Sequence, residues 1–219
     1  MRSSLTFRRT SQSFLACERA CKIFKKLAYD ETLHHQVSPY ARLARILVLE
    51  KGLGERVEIL EAKTRIVDSP YYRINPSGRV PYLVDDVGIG MEDSQVICAY
   101  LDHLDGEPRF HDAHRDSEWA YRRIEATARG FCEGICVWIR EMNRPASERS
   151  STLLAHEVAR AGRIADVFEA EVKQPLLGER PRMAHLFLAV SLEVATARGL
   201  GDLTDTRPGL AVWLRAISG

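Results

Sequence analysis

The chain of 219 residues is 45% apolar and 28% charged, a composition typical of folded globular proteins and unlike that of disordered or membrane-embedded ones. Its 31 Lys and Arg residues nearly balance its 30 Asp and Glu residues, so the overall charge gives no attraction to nucleic acid or to a membrane. The length fits one large or two small domains. We therefore expect a small molecule or another protein as the partner.

Residues 1–31 differ from the rest in composition, because they hold seven basic residues against three acidic ones. Such a segment fits a transit peptide or an anion-binding arm, but we favour an extension that lies outside the folded core. It contains no long apolar run, which argues against a secretory signal.

Residues 32–104 predict the element order β-α-β-α-β-β-α. Ser38 and Pro39 form a typical helix start, since Ser is a good N-cap and Pro is favoured at the first helical position. Val57 and Ile59 flank a charged residue as in a half-buried strand, and the short crossover before them implies parallel strands. The predicted elements are strands at 32–37, 57–60, 82–85 and 89–91, helices at 39–51 and 94–104, and one or two helical turns within 68–74.

Helical patterns dominate the chain after a polar linker at 105–115. The predicted helices are 117–142, 150–172, 184–197 and 208–217, with a break at 175–178. Residues 116–219 are therefore expected to form an all-helical bundle.

The five cysteines include no C-x-x-C pair of the kind that redox and zinc sites use. Cys132 and Cys136 stand at i and i+4 of a predicted helix, but two thiols without a further ligand make a poor metal site. We expect free buried thiols, no bound metal and a cytoplasmic protein.

The first motif with candidate chemistry is Val80-Pro81, just before a predicted strand. A cis bond before Pro81 would turn the backbone of Val80 outward as a free edge, with which an extended peptide can pair. Taken alone, the motif is also explained by an ordinary turn proline.

The second motif is Asp93-Ser94, at the start of a predicted helix. We expect Ser94 to cap this helix, with its hydroxyl and N–H placed for an anion at the positive end of the helix dipole. Asp93 offers a carboxylate to an ammonium group, so the pair suits the zwitterionic head of an amino acid. A plain N-cap is the alternative.

The third motif begins at Ser38, at the first strand-to-helix turn. There a hydroxyl can donate to a substrate thiolate, and the helix dipole lowers the thiol pKa from its free value of about 8.5. Capping alone would also explain Ser38. His34 and His35 precede it, and we expect both to be structural.

In combination, and in the chain order Ser38, Val80-Pro81 and Asp93-Ser94, the three motifs resemble the glutathione site of the cytosolic glutathione transferases. The similar stretches are SPYARLARILVLEKGL, INPSGRVPYLV and MEDSQVICAYLD, followed by YRRIEATARG and RPGLAVWLRAIS, which resemble bacterial members. The resemblance covers about residues 32–218 and is to the serine-type members. It implies an α/β plus all-α architecture, with an N-terminal thioredoxin-like domain over 32–104 and a C-terminal helical bundle.

The resemblance also implies roles for the motif residues. Val80 would pair its backbone with the cysteinyl part of glutathione before a cis Pro81, and Asp93 and Ser94 would hold the γ-glutamyl end. Ser38 would be the catalytic hydroxyl that stabilises the thiolate. The implied activity is that of a detoxifying transferase in which this thiolate attacks an electrophilic, mostly apolar small molecule, with glutathione as co-substrate.

Further expectations follow from the same resemblance. Arg79 and Arg42 would add positive charge near the glycine carboxylate or the mouth of the site. The second-substrate pocket would lie against the helical domain, near Trp119, Phe131 or Trp138, and none of these is assigned to it. Relatives are mostly two-fold dimers, so we expect a homodimer.

Relatives also begin the helix near Ala184 with a Ser/Thr-x-x-Asp capping box, whose positions are here Arg182 and His185. We expect this cap to be lost, at a cost of about 1 kcal/mol.

The fold leaves an alternative function open, because a non-catalytic adaptor or regulatory protein can share it. A glutaredoxin-type thiol oxidoreductase is disfavoured, since it needs a cysteine at the position of Ser38.

Overall fold

A four-stranded mixed sheet forms the centre of the N-terminal half. The computed structural model describes residues 21–26, 38–111, 118–178 and 180–218. The strands are β1 (Cys21–Lys26), β2 (Val57–Ala62), β3 (Tyr82–Val84) and β4 (Gly90–Met91), in the spatial order β2-β1-β3-β4. β1 runs parallel to β2 and antiparallel to β3, and β3 pairs with β4 as an antiparallel hairpin.

Two helices pack together beside this sheet, α1 (Pro39–Glu50) and α2 (Ser94–His103). Their shared face is apolar: Leu43 and Leu47 of α1 and Ile97 and Leu101 of α2 are fully buried. A single 3₁₀ turn (Pro70–Arg73) stands where one or two helical turns were predicted. The predicted element order and the thioredoxin-like domain are thereby confirmed.

The position of the first strand differs from the prediction. The sheet uses Cys21–Lys26 as its inner strand, paired on both sides, so these residues are part of the fold and the prediction that all of 1–31 lies outside the core is wrong. The strand predicted at 32–37 lies outside the described residues. Strand pairing is a long-range interaction, and the basic local composition of residues 1–31 gave no sign of it.

The C-terminal half is helical, as predicted. Its helices are α3 (Glu118–Met142), α4 (Ser151–Glu171), α5 (Pro175–Gly178), α6 (Met183–Ala197) and α7 (Pro208–Ser218), with a 3₁₀ turn at Ala146–Glu148. The segment expected to be a break, Pro175–Gly178, is instead the short helix α5. α6 is buried over residues 183–192 and packs against α3, α1 and α7, which makes it the core helix of this half. No described helix has the length and apolar character needed to cross a lipid bilayer.

The N-terminus of α6 is capped, contrary to the prediction of a lost cap. The ring nitrogen Nδ1 of His185 accepts a hydrogen bond from the backbone N–H of Arg182 at 3.2 Å. The hydroxyl of Tyr121, on α3, accepts from the N–H of Ala184 at 2.9 Å. A His side chain and a neighbouring helix therefore satisfy donors that a Ser/Thr-x-x-Asp box would otherwise serve.

The chain that leaves α2 is anchored by one buried carboxylate. Asp102, at the end of α2, accepts hydrogen bonds from the N–H groups of Arg109, Phe110 and His111 at 2.8–2.9 Å. The ammonium group of Lys51 lies 3.6 Å away. Asp102 itself is fully buried. The first part of the predicted linker is thus fixed to the sheet domain as far as residue 111.

Two opposing effects set the pKa of Asp102. Burial acts to raise it, but the hydrogen bonds from Arg109, Phe110 and His111 outweigh burial and hold the pKa below its usual range. The ionised carboxylate is therefore the form that stabilises the fold.

Replacing Asp102 with Asn should lower the free energy of unfolding at neutral pH by about 3 kcal/mol, because an amide nitrogen would then face backbone donors. Urea denaturation of Asp102→Asn measures this, with the exposed turn residue Asp86 changed to Asn as the matched control.

The stability difference between wild type and Asp102→Asn should depend on pH. Because the folded pKa of Asp102 is depressed, its stabilisation is complete above the unfolded value of about 3.9 and is lost as pH falls through the folded value. The stability gap between wild type and Asp102→Asn should therefore narrow in acid. A gap that stays constant across this range, or a neutral-pH loss below about 0.5 kcal/mol, would contradict the anchoring role.

Candidate functional site

A cleft of about 1040 Å³ lies between the sheet domain and the helical domain. One wall is formed by the start of α1, the loop before β3 and the start of α2, and the other by one face of α3 and part of α6. Six residues that the sequence predicts at the site line this cleft: Ser38, Arg79, Val80, Pro81, Asp93 and Ser94.

The backbone at Val80 is held from behind by two buried side chains. The Val80–Pro81 peptide bond is cis, as expected. The carbonyl oxygen of Arg79 accepts a hydrogen bond from Nδ2 of Asn75 at 3.0 Å and another from the Tyr71 hydroxyl. These bonds fix the peptide unit that joins Arg79 to Val80. Sequence reasoning missed Asn75 and Tyr71, although Asn75 opens the Asn-Pro-Ser-Gly turn.

The main chain of Val80 remains outside the sheet, because β3 begins only at Tyr82. In the described part of the chain, no backbone group bonds to the N–H or carbonyl of Val80. An extended ligand can therefore add to this edge through main-chain hydrogen bonds.

Asp93, and not Ser94, is the N-cap of α2. Its carboxylate accepts from the N–H of Gln95 at 2.8 Å, and its φ of 77° places it in the left-handed region that Asp tolerates better than most residues. Ser94 is the first helical residue, and no described residue hydrogen-bonds its hydroxyl. The prediction that Ser94 caps the helix is wrong, because the carboxylate one residue earlier reaches the second helical N–H first.

Ser38 occupies the N-cap position of α1, with φ −51° and ψ 128°, but its side chain makes no hydrogen bond to the first turn of that helix. Its hydroxyl is half-buried at the cleft wall. The capping explanation of Ser38 therefore does not apply in the structure, and the hydroxyl remains available to a ligand.

A serine links the two halves of this wall. The hydroxyl of Ser77 bonds to the carboxylate of Glu92 and accepts from the N–H of Arg79 at 3.1 Å. The loop that presents Val80 is thereby tied to the segment that presents Asp93. Neither Ser77 nor Glu92 was singled out from the sequence.

Tyr40 and Cys136 face each other within the cleft. Burial raises the pKa of the Tyr40 hydroxyl far above its usual value, so it is a neutral donor at physiological pH. A hydrogen bond from Cys132 and the charge of Arg140 lower the pKa of the Cys136 thiol, against the effect of burial. Three of the five cysteines, Cys98, Cys132 and Cys136, are free and buried, as predicted.

Several expected neighbours of the site lie elsewhere. Phe131 and Trp138 are buried in the core, since they stand on the face of α3 that turns away from the cleft, and Trp119 is 81% exposed. Arg42 does not line the cleft, because its guanidinium pairs with Glu193 of α6. His34 and His35 fall outside the described residues.

Sequence comparison matches most of the N-terminal half to a known domain family. Residues 33–109 match the family described as glutathione S-transferase, N-terminal domain, a range that begins after β1. A curated relative, the uncharacterized GST-like protein YibF of Escherichia coli strain K12, is 32% identical over 132 residues. That similarity spans 60% of this chain and 64% of YibF, which is less than two thirds of its length.

Structural comparison extends over both halves. A glutathione transferase family member from Pseudomonas fluorescens Pf-5, solved with bound glutathione, is 25% identical, with a TM-score of 0.76 over 91% of this chain and 94% of that one. A glutathione S-transferase from Methylobacillus flagellatus KT, solved with bound glutathione, has a TM-score of 0.75 at 24% identity, over 90% and 94% of the two chains. At 24% identity, the similarity to the Methylobacillus flagellatus protein establishes the shared fold alone.

Two replacements of Asp93 should show whether its capping side chain or its charge stabilises the protein. Asp93→Ala removes the cap and places Ala at positive φ, so it should destabilise the protein by about 2 kcal/mol. Asp93→Asn keeps an N-cap and tolerates this backbone, so it should cost less than about 0.5 kcal/mol. Thermal unfolding of both variants measures this, and equal losses would show that Asp93 does not act as the cap.

Proposed function

We propose that the chain is a glutathione transferase, as its similarity to the N-terminal domain of that family and to a solved family member supports, and that it binds glutathione in the cleft and activates its thiol for attack on an electrophilic small molecule. The observation that carries the proposal is the convergence of a free main-chain edge, a polar helix start and an uncapped hydroxyl on one wall of one cleft. The edge suits the cysteinyl backbone of glutathione, the helix start suits its γ-glutamyl head, and the hydroxyl suits its sulfur.

The open backbone of Val80 pairs with the cysteinyl residue of glutathione, as an added strand would. The γ-glutamyl carboxylate lies at the start of α2, where the Ser94 hydroxyl and the first N–H groups donate to it. Its ammonium group lies against Asp93. Arg79, which lines the same cleft, binds the glycine carboxylate. The bound glutathione of the Pseudomonas fluorescens relative supports this reading.

Ser38 then donates its hydroxyl hydrogen to the glutathione sulfur. This hydrogen bond and the N-terminal end of α1 stabilise the thiolate, so the thiol pKa falls below its free value of about 8.5 and its proton passes to solvent. The thiolate forms a carbon–sulfur bond with the electrophile, and any leaving group departs with its electron pair. No covalent bond to the protein forms, so the enzyme acts by positioning and by stabilising the thiolate.

The wider biological setting belongs to the same proposal. We propose that the protein is cytoplasmic, that it acts in detoxification and that it forms a homodimer. Val96 on α2 and Trp119 at the start of α3 are large apolar side chains left 52% and 81% exposed in a single chain, as a dimer interface would leave them. Sedimentation equilibrium of the purified protein tests this, and a monomer mass at micromolar concentration would contradict it.

Replacing Ser38 with Ala should lower kcat by about tenfold to a hundredfold, because one donor to the developing anion is lost. The apparent pKa in the pH profile of kcat/KM should rise, and glutathione affinity should change little. Conjugation kinetics and calorimetric titration measure these quantities. Ser151→Ala is the matched control, since Ser151 is exposed on α4 and outside the cleft.

The outcomes separate the two functions that the fold permits. An unchanged kcat and pH profile in Ser38→Ala would remove Ser38 from the mechanism. If the wild-type protein neither binds glutathione nor conjugates an activated aryl chloride, the enzyme proposal is lost and an adaptor or regulatory protein remains.

A further inference from the structure

The wall of the cleft opposite the glutathione residues carries an unusual charge for a pocket expected to take apolar molecules. Arg129 and Arg140 project from the cleft face of α3, and Arg198 follows the end of α6. Glu133 is the single acidic residue among the described residues of this wall. The described residues of this wall therefore have a net positive charge.

The three arginines have no partner within the described part of the chain: none forms a hydrogen bond or an ion pair there. Some arginines elsewhere in the helical domain are engaged. Arg123 bonds to Glu171 at 2.7 Å, and Arg207 bonds to Asp166 at 2.8 Å. Unengaged guanidinium groups that line a cleft are suited to an anionic ligand, since they present planar donors to carboxylates.

Arg140 and Cys136 stand one helical turn apart on α3, and both line the cleft. A hydrogen bond from Cys132, together with the positive charge of Arg140, lowers the pKa of the Cys136 thiol. This is consistent with a guanidinium group that lies near the cleft, although part of its side chain is exposed.

Apolar side chains accompany these charges. Val137 and Phe187 line the same wall, so a ligand here can place a flat apolar body against the wall and an anionic group at the arginines.

We propose that this wall is the second-substrate site and that it selects electrophiles carrying a carboxylate or a comparable anionic group. The inference rests on the proposed function and changes its expected substrate from mostly apolar to amphipathic and anionic. Glutathione itself does not account for these arginines, because the groups proposed to bind it lie on the opposite wall and include Arg79.

A matched pair of substrates tests this selectivity. In 4-chloro-3-nitrobenzoate and its methyl ester, the glutathione thiolate attacks the same ring carbon, a carbon–sulfur bond forms, chloride leaves, and the thiol proton goes to solvent. Each kcat/KM is divided by the rate of the uncatalysed reaction with glutathione, which corrects for the different reactivity of acid and ester. We expect the acid to be favoured by about tenfold.

The arginines are then tested directly. Arg129→Gln combined with Arg140→Gln should raise KM for the acid about tenfold while leaving KM for the ester and for glutathione unchanged. Replacing both with Lys should restore most of the preference because the charge is kept. Arg163→Gln is the matched control, since Arg163 is exposed on α4 and outside the cleft.

Equal corrected kcat/KM values for the acid and the ester would overturn the inference. A rise in KM for glutathione in the double Gln variant would also overturn it. Calorimetric titration of unreactive 3-nitrobenzoate, with and without glutathione, makes the test independent of catalysis. Binding that the double Gln variant loses supports the anion site even if no conjugation occurs, and absence of binding overturns it. Failure to bind glutathione alone would instead contradict the proposed function.

Discussion

The buried carboxylate of Asp102 is the contact on which the shape of the cleft depends. It closes the C-terminal end of α2 onto residues 109–111, the segment that leads toward the helical domain. The other end of α2 presents Asp93 and Ser94 to the cleft. One helix of ten residues thus connects the ligand-facing polar groups to the point where the second domain departs. A shift of that anchor would move the two walls of the cleft relative to each other.

The glutathione-facing wall is built from backbone groups held by side chains that do not themselves face the ligand. Tyr71 and Asn75 fix the carbonyl of Arg79, and Ser77 ties that loop to Glu92. Such support keeps a main-chain edge open and rigid, so that little conformational entropy is lost when a peptide adds to it. The opposite wall differs, since its charge comes from long side chains on α3 and at the end of α6. The balanced charge of the whole chain conceals this local excess of arginine.

Local signals made much of this site predictable. A Ser-Pro pair, a Val-Pro pair and an Asp-Ser pair each determine backbone conformation within a few residues, and all three lie on the cleft. The inner strand β1 was missed, because its position depends on pairing with β2 and β3 across the chain. No choice among Trp119, Phe131 and Trp138 could be made from the sequence, since the phase of α3 relative to the sheet domain is set by packing against α6 and α4. The cap of α2 was placed one residue late, because Asp and Ser are both good caps and the positive φ of Asp93 decides between them.

A crystal structure of the protein grown with glutathione would show how the tripeptide lies in the cleft. We expect the cysteinyl backbone to be hydrogen-bonded to the main chain of Val80, the γ-glutamyl head to lie at Asp93 and Ser94, and the sulfur to lie within hydrogen-bond distance of the Ser38 hydroxyl. Glutathione bound with its ends reversed, bound outside this cleft, or excluded from it by the protein's own side chains would rule out the proposed site.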